Sequence, residues 1–323
     1  PDKIGRGGPW EVMRILGTVP VHQDGSASFR VPANTPICVQ PLDDEGRALA
    51  VMRSWYTAMP GEKASCVGCH EQPSDVPTVR FELASTRTPV EIEPWYGPAR
   101  GFDFEREVQP VLDEYCVGCH NGQARDDGKT IPDLRGERFA SDYQGLPLSQ
   151  LGASRLEPEL REKFPPHTPE SKLIGDRKML YTPAYDALVP YIRRVNIEDY
   201  VGLLVPGEYH ADTSELVQML RKGHHNVRLD REAWDRLVTW IDLNGPCHGT
   251  WSDVGEFPSG ADRRRHELAQ RFGGPKLDPE VVPQLARVPV EPIVPEPPAR
   301  PEPASVEAAG WPLDAGVARQ RQQ

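Results

Sequence analysis

Cys116-Val117-Gly118-Cys119-His120 decides how this chain is read, and the same arrangement stands earlier as Cys66-Val67-Gly68-Cys69-His70. A C-x-x-C-H run reads as c-type haem attachment. Two thiols at this spacing can each form a thioether to one vinyl group of a single porphyrin, and the following imidazole then lies under the iron as an axial ligand. A zinc site or a redox dithiol would explain C-x-x-C, but neither needs a His directly after the second Cys. The expected cofactor is haem c in two covalent copies, one on Cys66, Cys69 and His70, the other on Cys116, Cys119 and His120.

Immediately before the second motif, Val108, Val111, Leu112 and Tyr115 fall on one helical face, with Pro110 in the first turn where a missing N–H costs little. That helix delivers Cys116 directly, which is how a cytochrome c fold opens. Residues 121–200 would wrap the haem, with some helix around Pro183 to Arg194. Two further helices are expected. One covers about Ser214 to Lys222, with Thr213 or Ser214 as its N-cap, and stops at Gly223; the other starts after Asp230 and carries Trp234, Leu237, Val238 and Ile241 on one face. A last helix, Ala261 to Phe272, carries Arg263-Arg264-Arg265, read as a solvated face rather than a docking patch.

Residues 1 to about 65 read as β structure, and Glu71 to Gly101 as a Pro-punctuated connector with one strand at Thr78 to Leu83. Ala27, Phe29 and Val31 share a face after the turn at Gln23-Asp24-Gly25, and Ile37 to Leu42 and Ala48 to Tyr56 continue as strands between Asp/Gly turns. The expected fold class is therefore α+β and multidomain. It comprises a small β-sandwich-like domain with one c-type haem (1–100), a mainly α cytochrome c domain with the second (101–274), and an extended Pro-rich tail (275–323). Ten prolines between Pro275 and Pro303 prevent that tail from forming a core, so the chain's own surface or a neighbouring subunit must hold it.

Composition narrows the partners. The net charge of -11 excludes a nucleic-acid or anionic-membrane role, and no apolar run is long enough to span a membrane. Haem attachment to cysteine follows export, so a periplasmic or otherwise extracytoplasmic location is expected. Pro1-Asp2-Lys3-Ile4 lacks the basic start and apolar core of an export signal, and the chain reads as a piece of a longer product. Cys38 and Cys247 are left over, either as a disulfide or as two unrelated thiols.

The sixth ligand of the second iron should come from the loop before the closing helix, where Gly223-His224-His225-Asn226 stands. His224 or His225 is expected there, with Met219, His210 and His248 as competitors. Two histidines on one iron leave no open position and suit electron transfer. For the first iron, no distal ligand is placed by pattern; Met52, Met59, His22, Tyr56 and His167 all compete with plain structural roles.

The chain resembles the hydrazine synthase α subunit family and a broader group of haem proteins sharing its C-terminal half. The residues carrying this are Ile15-Leu16-Gly17-Thr18-Val19-Pro20-Val21, Asp24-Gly25-Ser26-Ala27, Met52-Arg53-Ser54-Trp55, the run Ser65 to Glu71, Val108 to Leu112, Gly223-His224-His225, and Trp240-Ile241-Asp242-Leu243-Asn244 running into His248-Gly249-Thr250-Trp251. They span about residues 9 to 272. Gly310-Trp311-Pro312-Leu313-Asp314 resembles the lead-in to a formylglycine-generating-enzyme-like domain. The family resemblance implies a catalytic haem in the first part and a bis-His electron-shuttling haem in the second. In that family a Tyr four residues after the motif His holds the catalytic iron, and the His itself binds zinc. Ser74 occupies that position here, which favours ordinary ligation by His70. The reading that follows is a dihaem c-type cytochrome that works with a redox partner or neighbouring subunit. A redox enzyme acting on a small nitrogen or oxygen compound at an open first haem is the alternative.

Overall fold

A computed structural model describes residues 4–6, 11–52, 54–68, 74, 76, 81–123, 128, 131–136, 173–174, 177–178, 181–195, 207, 210–254, 260–283 and 291–296. Cys69, His70, His167, most of the expected haem wrap and the chain beyond 296 lie outside the described residues.

Helices form where apolar periodicity and caps coincide. They are α1 (Phe104–Glu107), α2 (Gln109–Tyr115), α3 (Pro183–Leu188), α4 (Glu215–Arg221), α5 (Arg231–Asp242), α6 (Trp251–Val254) and α7 (Ala261–Phe272). Asp103, Thr182 and Asp230 cap α1, α3 and α5, each accepting a backbone N–H three residues on. Pro110 lacks the N–H that would continue the α1 ladder, so the run breaks at Val108. One core cluster joins α1 and α2 (Phe104, Val108, Leu112) to α3 (Tyr185, Leu188), α4 (Val217) and α5 (Leu237, Val238, Trp240, Ile241).

The expected fold class is not what the chain adopts. The described residues among 1–100 form no β-sandwich-like domain. Their pairings are single bridges, Arg14 with Gly101, Thr18 with Glu93, Phe29 with Val90, Ile37 with Tyr56 and Leu42 with Ala48. Among the described residues the one ladder is a two-residue antiparallel pair, β1 (Leu173–Ile174) with β2 (Arg177–Lys178). Pro20, Pro32, Pro36 and Pro41 remove ladder donors at short intervals, which keeps alternating segments from zipping into strands. The mainly α cytochrome c domain is not supported either. Among the described residues most helices are one or two turns, and only α5 and α7 reach 12 residues. Pro and Gly punctuate the sequence between them and shorten each run. Among the described residues no helix is long and apolar enough to cross a membrane.

The first hundred residues instead lie along the helical part. Cys247 and His248 both donate backbone N–H groups to the Ile4 carbonyl, at 2.7 and 2.9 Å, and the Gln40 side chain donates to the Asp242 carbonyl at 3.0 Å. Asp242 is 3% exposed, and its two carboxylate oxygens accept from Ala48 N and Ala211 N, each at 2.8 Å. One side chain at the end of α5 thereby ties down two other stretches of chain.

Burial pushes the Asp242 carboxyl up to about 7, against its two N–H donors and Arg47, and pushes Asp103 up to about 6. A carboxyl whose folded pKa lies above its unfolded value of about 4 binds its proton more tightly when folded. Its contribution is fully present below about pH 4 and is lost as pH rises through about 7. The thermal midpoint should therefore fall between about pH 5 and pH 8. In Asp242→Asn the upper part of that fall should disappear. Its amide NH2 would also face a backbone donor, lowering stability by about 1–3 kcal/mol. A midpoint that climbs over this range would contradict the assignment.

Candidate functional site

The second motif is set by the C-terminal end of α2. Cys116 N and Val117 N both bond the Leu112 carbonyl at 2.9 Å, and Cys119 N and His120 N both return to the Cys116 carbonyl, at 3.1 and 2.8 Å. This tight turn brings the two thiols and the imidazole to one end of the helix. Cys116 is half-buried against the core, and Cys119 is exposed. Burial pushes the Cys116 thiol up to about 12, with Cys119 and Asp113 adding to it.

His120 is oriented by the segment 131–136. Its Nδ1 donates to the Pro132 carbonyl at 2.9 Å, and its own carbonyl accepts from Leu134 N at 3.0 Å. Gln109, on the α2 side, donates to the Leu134 carbonyl at 2.9 Å and holds that segment in place. With Nδ1 committed to a carbonyl, Nε2 is the nitrogen left for a metal, the usual arrangement of a ligating His.

The facing group comes from the loop between α4 and α5. Gly223, His225 and Asn226 have φ of 89°, 47° and 63°, so three of four consecutive residues are left-handed, a conformation that is costly for His. The result turns His224 toward His120: their ring centroids lie 6.0 Å apart, with planes inclined by 31°. His225 stands edge-on to His224 at 4.8 Å and is exposed. Burial lowers the His224 pKa, and the neighbouring His225 and His120 lower it further, which favours the neutral ring that a metal needs. Two imidazoles on opposite faces of one metal, with bonds of about 2 Å, would put their centroids about 6 Å apart. The spacing thus fits a haem iron between them. Among the described residues no three His, Cys, Asp or Glu side chains converge as a metal-binding group.

The other ligand candidates lie elsewhere. His210 and His248 are buried, and His248 is stacked on Tyr181. Met219 packs against the core from α4. Of the first motif, Cys66 is described and exposed. Tyr56 is its neighbour, with a hydroxyl pKa raised by burial first and then by the Cys66 and Cys38 thiols. Cys38 is a free thiol, so the disulfide to Cys247 is not formed. Met59 is 64% exposed, and His22 is half-buried. The sequence reading missed the Pro132 carbonyl and the Asn226 amide. A backbone acceptor carries no sequence signature, and Asn226 showed only as a neighbour of the His pair.

Neither curated proteins nor solved structures yield a match to this chain. The family described as the hydrazine synthase alpha subunit middle domain matches residues 3–71, a stretch that takes in the first attachment motif and stops short of the second. Over those residues the chain is similar to the middle domain of the hydrazine synthase alpha subunit.

Proposed function

We propose that this chain is an extracytoplasmic dihaem c-type cytochrome that moves electrons between two covalently bound haems as one part of a larger assembly. The observation that carries the reading is the opposed pair His120 and His224, 6.0 Å apart, at the end of a C-x-x-C-H turn. Haem supplies a one-electron couple, tuned by its axial ligands and by burial. The chain's own residues do the rest. Cys116 and Cys119 would tether the porphyrin, and the Pro132 carbonyl keeps Nε2 of His120 turned outward. The left-handed turn at His225 and Asn226 holds His224 on the opposite face. Cys66, Cys69 and His70 would hold the first haem. A match to a protein described as a subunit supports a multisubunit setting.

The test is maturation in a host that exports the chain and attaches haem c. Two haems per chain are expected, falling to one when both cysteines of either motif are replaced by Ser. His224→Ala should turn the second haem high-spin, whereas His225→Ala should leave it low-spin. A purified chain carrying zinc, or no haem at all, would overturn the reading.

The family match covers the first motif and supports a second reading, a redox enzyme acting on a small nitrogen or oxygen compound at an open first haem. Ser74 stands where that family's iron-ligating Tyr would be, so the hydrazine-forming reaction itself is not carried over. Carbon monoxide binding to one of the two reduced haems would favour this reading; no spectral change with the gas would leave electron transfer alone.

A further inference from the structure

The Pro-rich segment Glu291 to Glu296 does not trail away from the helical part; it crosses the second motif and the His loop together. Ile293 N donates to the Glu114 carbonyl at 2.8 Å. That carbonyl belongs to the last turn of α2, where helix geometry leaves acceptors without partners. Three residues on, the Glu296 carbonyl accepts from the Asn226 side-chain amide at 2.6 Å. Between these anchors the segment lies against Gly118, where an added Cβ would come within 2.8 Å of the Ile293 carbonyl and 3.0 Å of Val294. It therefore touches the turn that carries Cys116, Cys119 and His120, and also the loop that carries His224.

Asn226 sits two residues after His224 in a left-handed conformation, and Val227 N closes the loop on the His224 carbonyl at 2.9 Å. Fixing the Asn226 amide to the strap removes the loop's freedom to swing His224 away from His120. The hold is light. Ile293 and Val294 remain 47% and 65% exposed, and a cleft of about 200 Å³ between Tyr115, Val227 and Arg228 on one side and Ile293 and Pro295 on the other is bridged at its rim by the Asn226–Glu296 hydrogen bond. Two hydrogen bonds, rather than buried apolar area, seat the segment, which places it among the elements that open locally.

We infer that residues 291–296 are a releasable strap, and that Asn226 and Ile293 are positioning residues that keep His224 opposite His120. The role in iron ligation rests on the haem reading; the strap itself does not. The full chain carries the test, with Ile293→Pro, which removes one donor but keeps an extended backbone, and Asn226→Asp, which tolerates positive φ but cannot donate. Hydrogen exchange at the Val227 amide should quicken about fivefold in either variant, the scale of one lost hydrogen bond. Where haem is attached, carbon monoxide should bind the second haem about fivefold faster as His224 leaves more often. Unchanged exchange at Val227 in both variants overturns the strap, whatever the haem content. Quickened exchange in a chain that carries no haem sustains the strap and overturns the haem reading instead. Quickened exchange with an unchanged gas-binding rate on a haem-loaded chain overturns the assignment of Asn226 and Ile293 as positioning residues.

Discussion

Replacing Glu107 with Ala is expected to cost about 3–5 kcal/mol of stability, the scale of a buried ion pair broken from one side. The carboxylate is 1% exposed. Arg100 grips it with two nitrogens at 2.6 and 2.7 Å, Arg106 approaches at 3.3 Å, and Arg236 of α5 completes the set. Arg100 is itself 3% exposed, so removing the carboxylate would strand a buried cation. The indole of Trp95 lies against both Arg100 and Arg236, at 5.9 and 5.4 Å, and adds contacts that neither guanidinium can abandon. Glu107 ends α1, directly before the helix that delivers Cys116, while Arg236 lies on the helix that follows His224. The network therefore ties α1 to α5, the helix that follows the His224 loop. Urea unfolding of Glu107→Ala checks the magnitude, and Glu107→Gln, which keeps the shape and some acceptor capacity, should lose less. A loss below about 1 kcal/mol in the Ala variant would mean the arginines find other partners or water.

Trp240→Ala should be comparably severe, about 3–5 kcal/mol, because a fully buried indole leaves a cavity its neighbours cannot fill. Trp240 is 0% exposed, meets Phe104 edge-on at 5.1 Å and Tyr185 at 6.1 Å, and donates from Nε1 to the Pro246 carbonyl at 3.0 Å. Trp240→Phe keeps most of the packing and should cost roughly 1–2 kcal/mol, mainly the carbonyl left without its donor. Thermal unfolding of the pair separates packing from hydrogen bonding; equal losses in both variants would mean the indole N–H outweighs the ring.

Trp240 also shows where reading along the chain stops. Trp234, Leu237, Val238 and Ile241 fall on one helical face, and Leu237, Val238 and Ile241 are indeed buried while Trp234 is partly so. Trp240 and Asp242 lie off that stripe and are buried as well, since α5 is covered on a second side by Phe104, Tyr185 and the stretch around Ala48. A stripe of apolar residues reports one packing face; a second face depends on segments distant in sequence.

Local physics was legible from the residues alone. The helix ends at Ser214, Asp230, Gly223 and Gly273, the buried stripe of α2 and the turn that presents Cys116 and His120 follow from side chains within a few positions of one another. Tertiary structure decided the rest. Whether Ile37 and Tyr56 open a sheet or make one isolated bridge depends on donors that nearby prolines withhold from any neighbouring strand. Whether His224 or His225 faces His120 depends on three left-handed residues and an amide tied to a strap about seventy residues on. Backbone handedness and long-range pairing are settled by what the chain folds against, and neither leaves a periodic trace in the order of its residues.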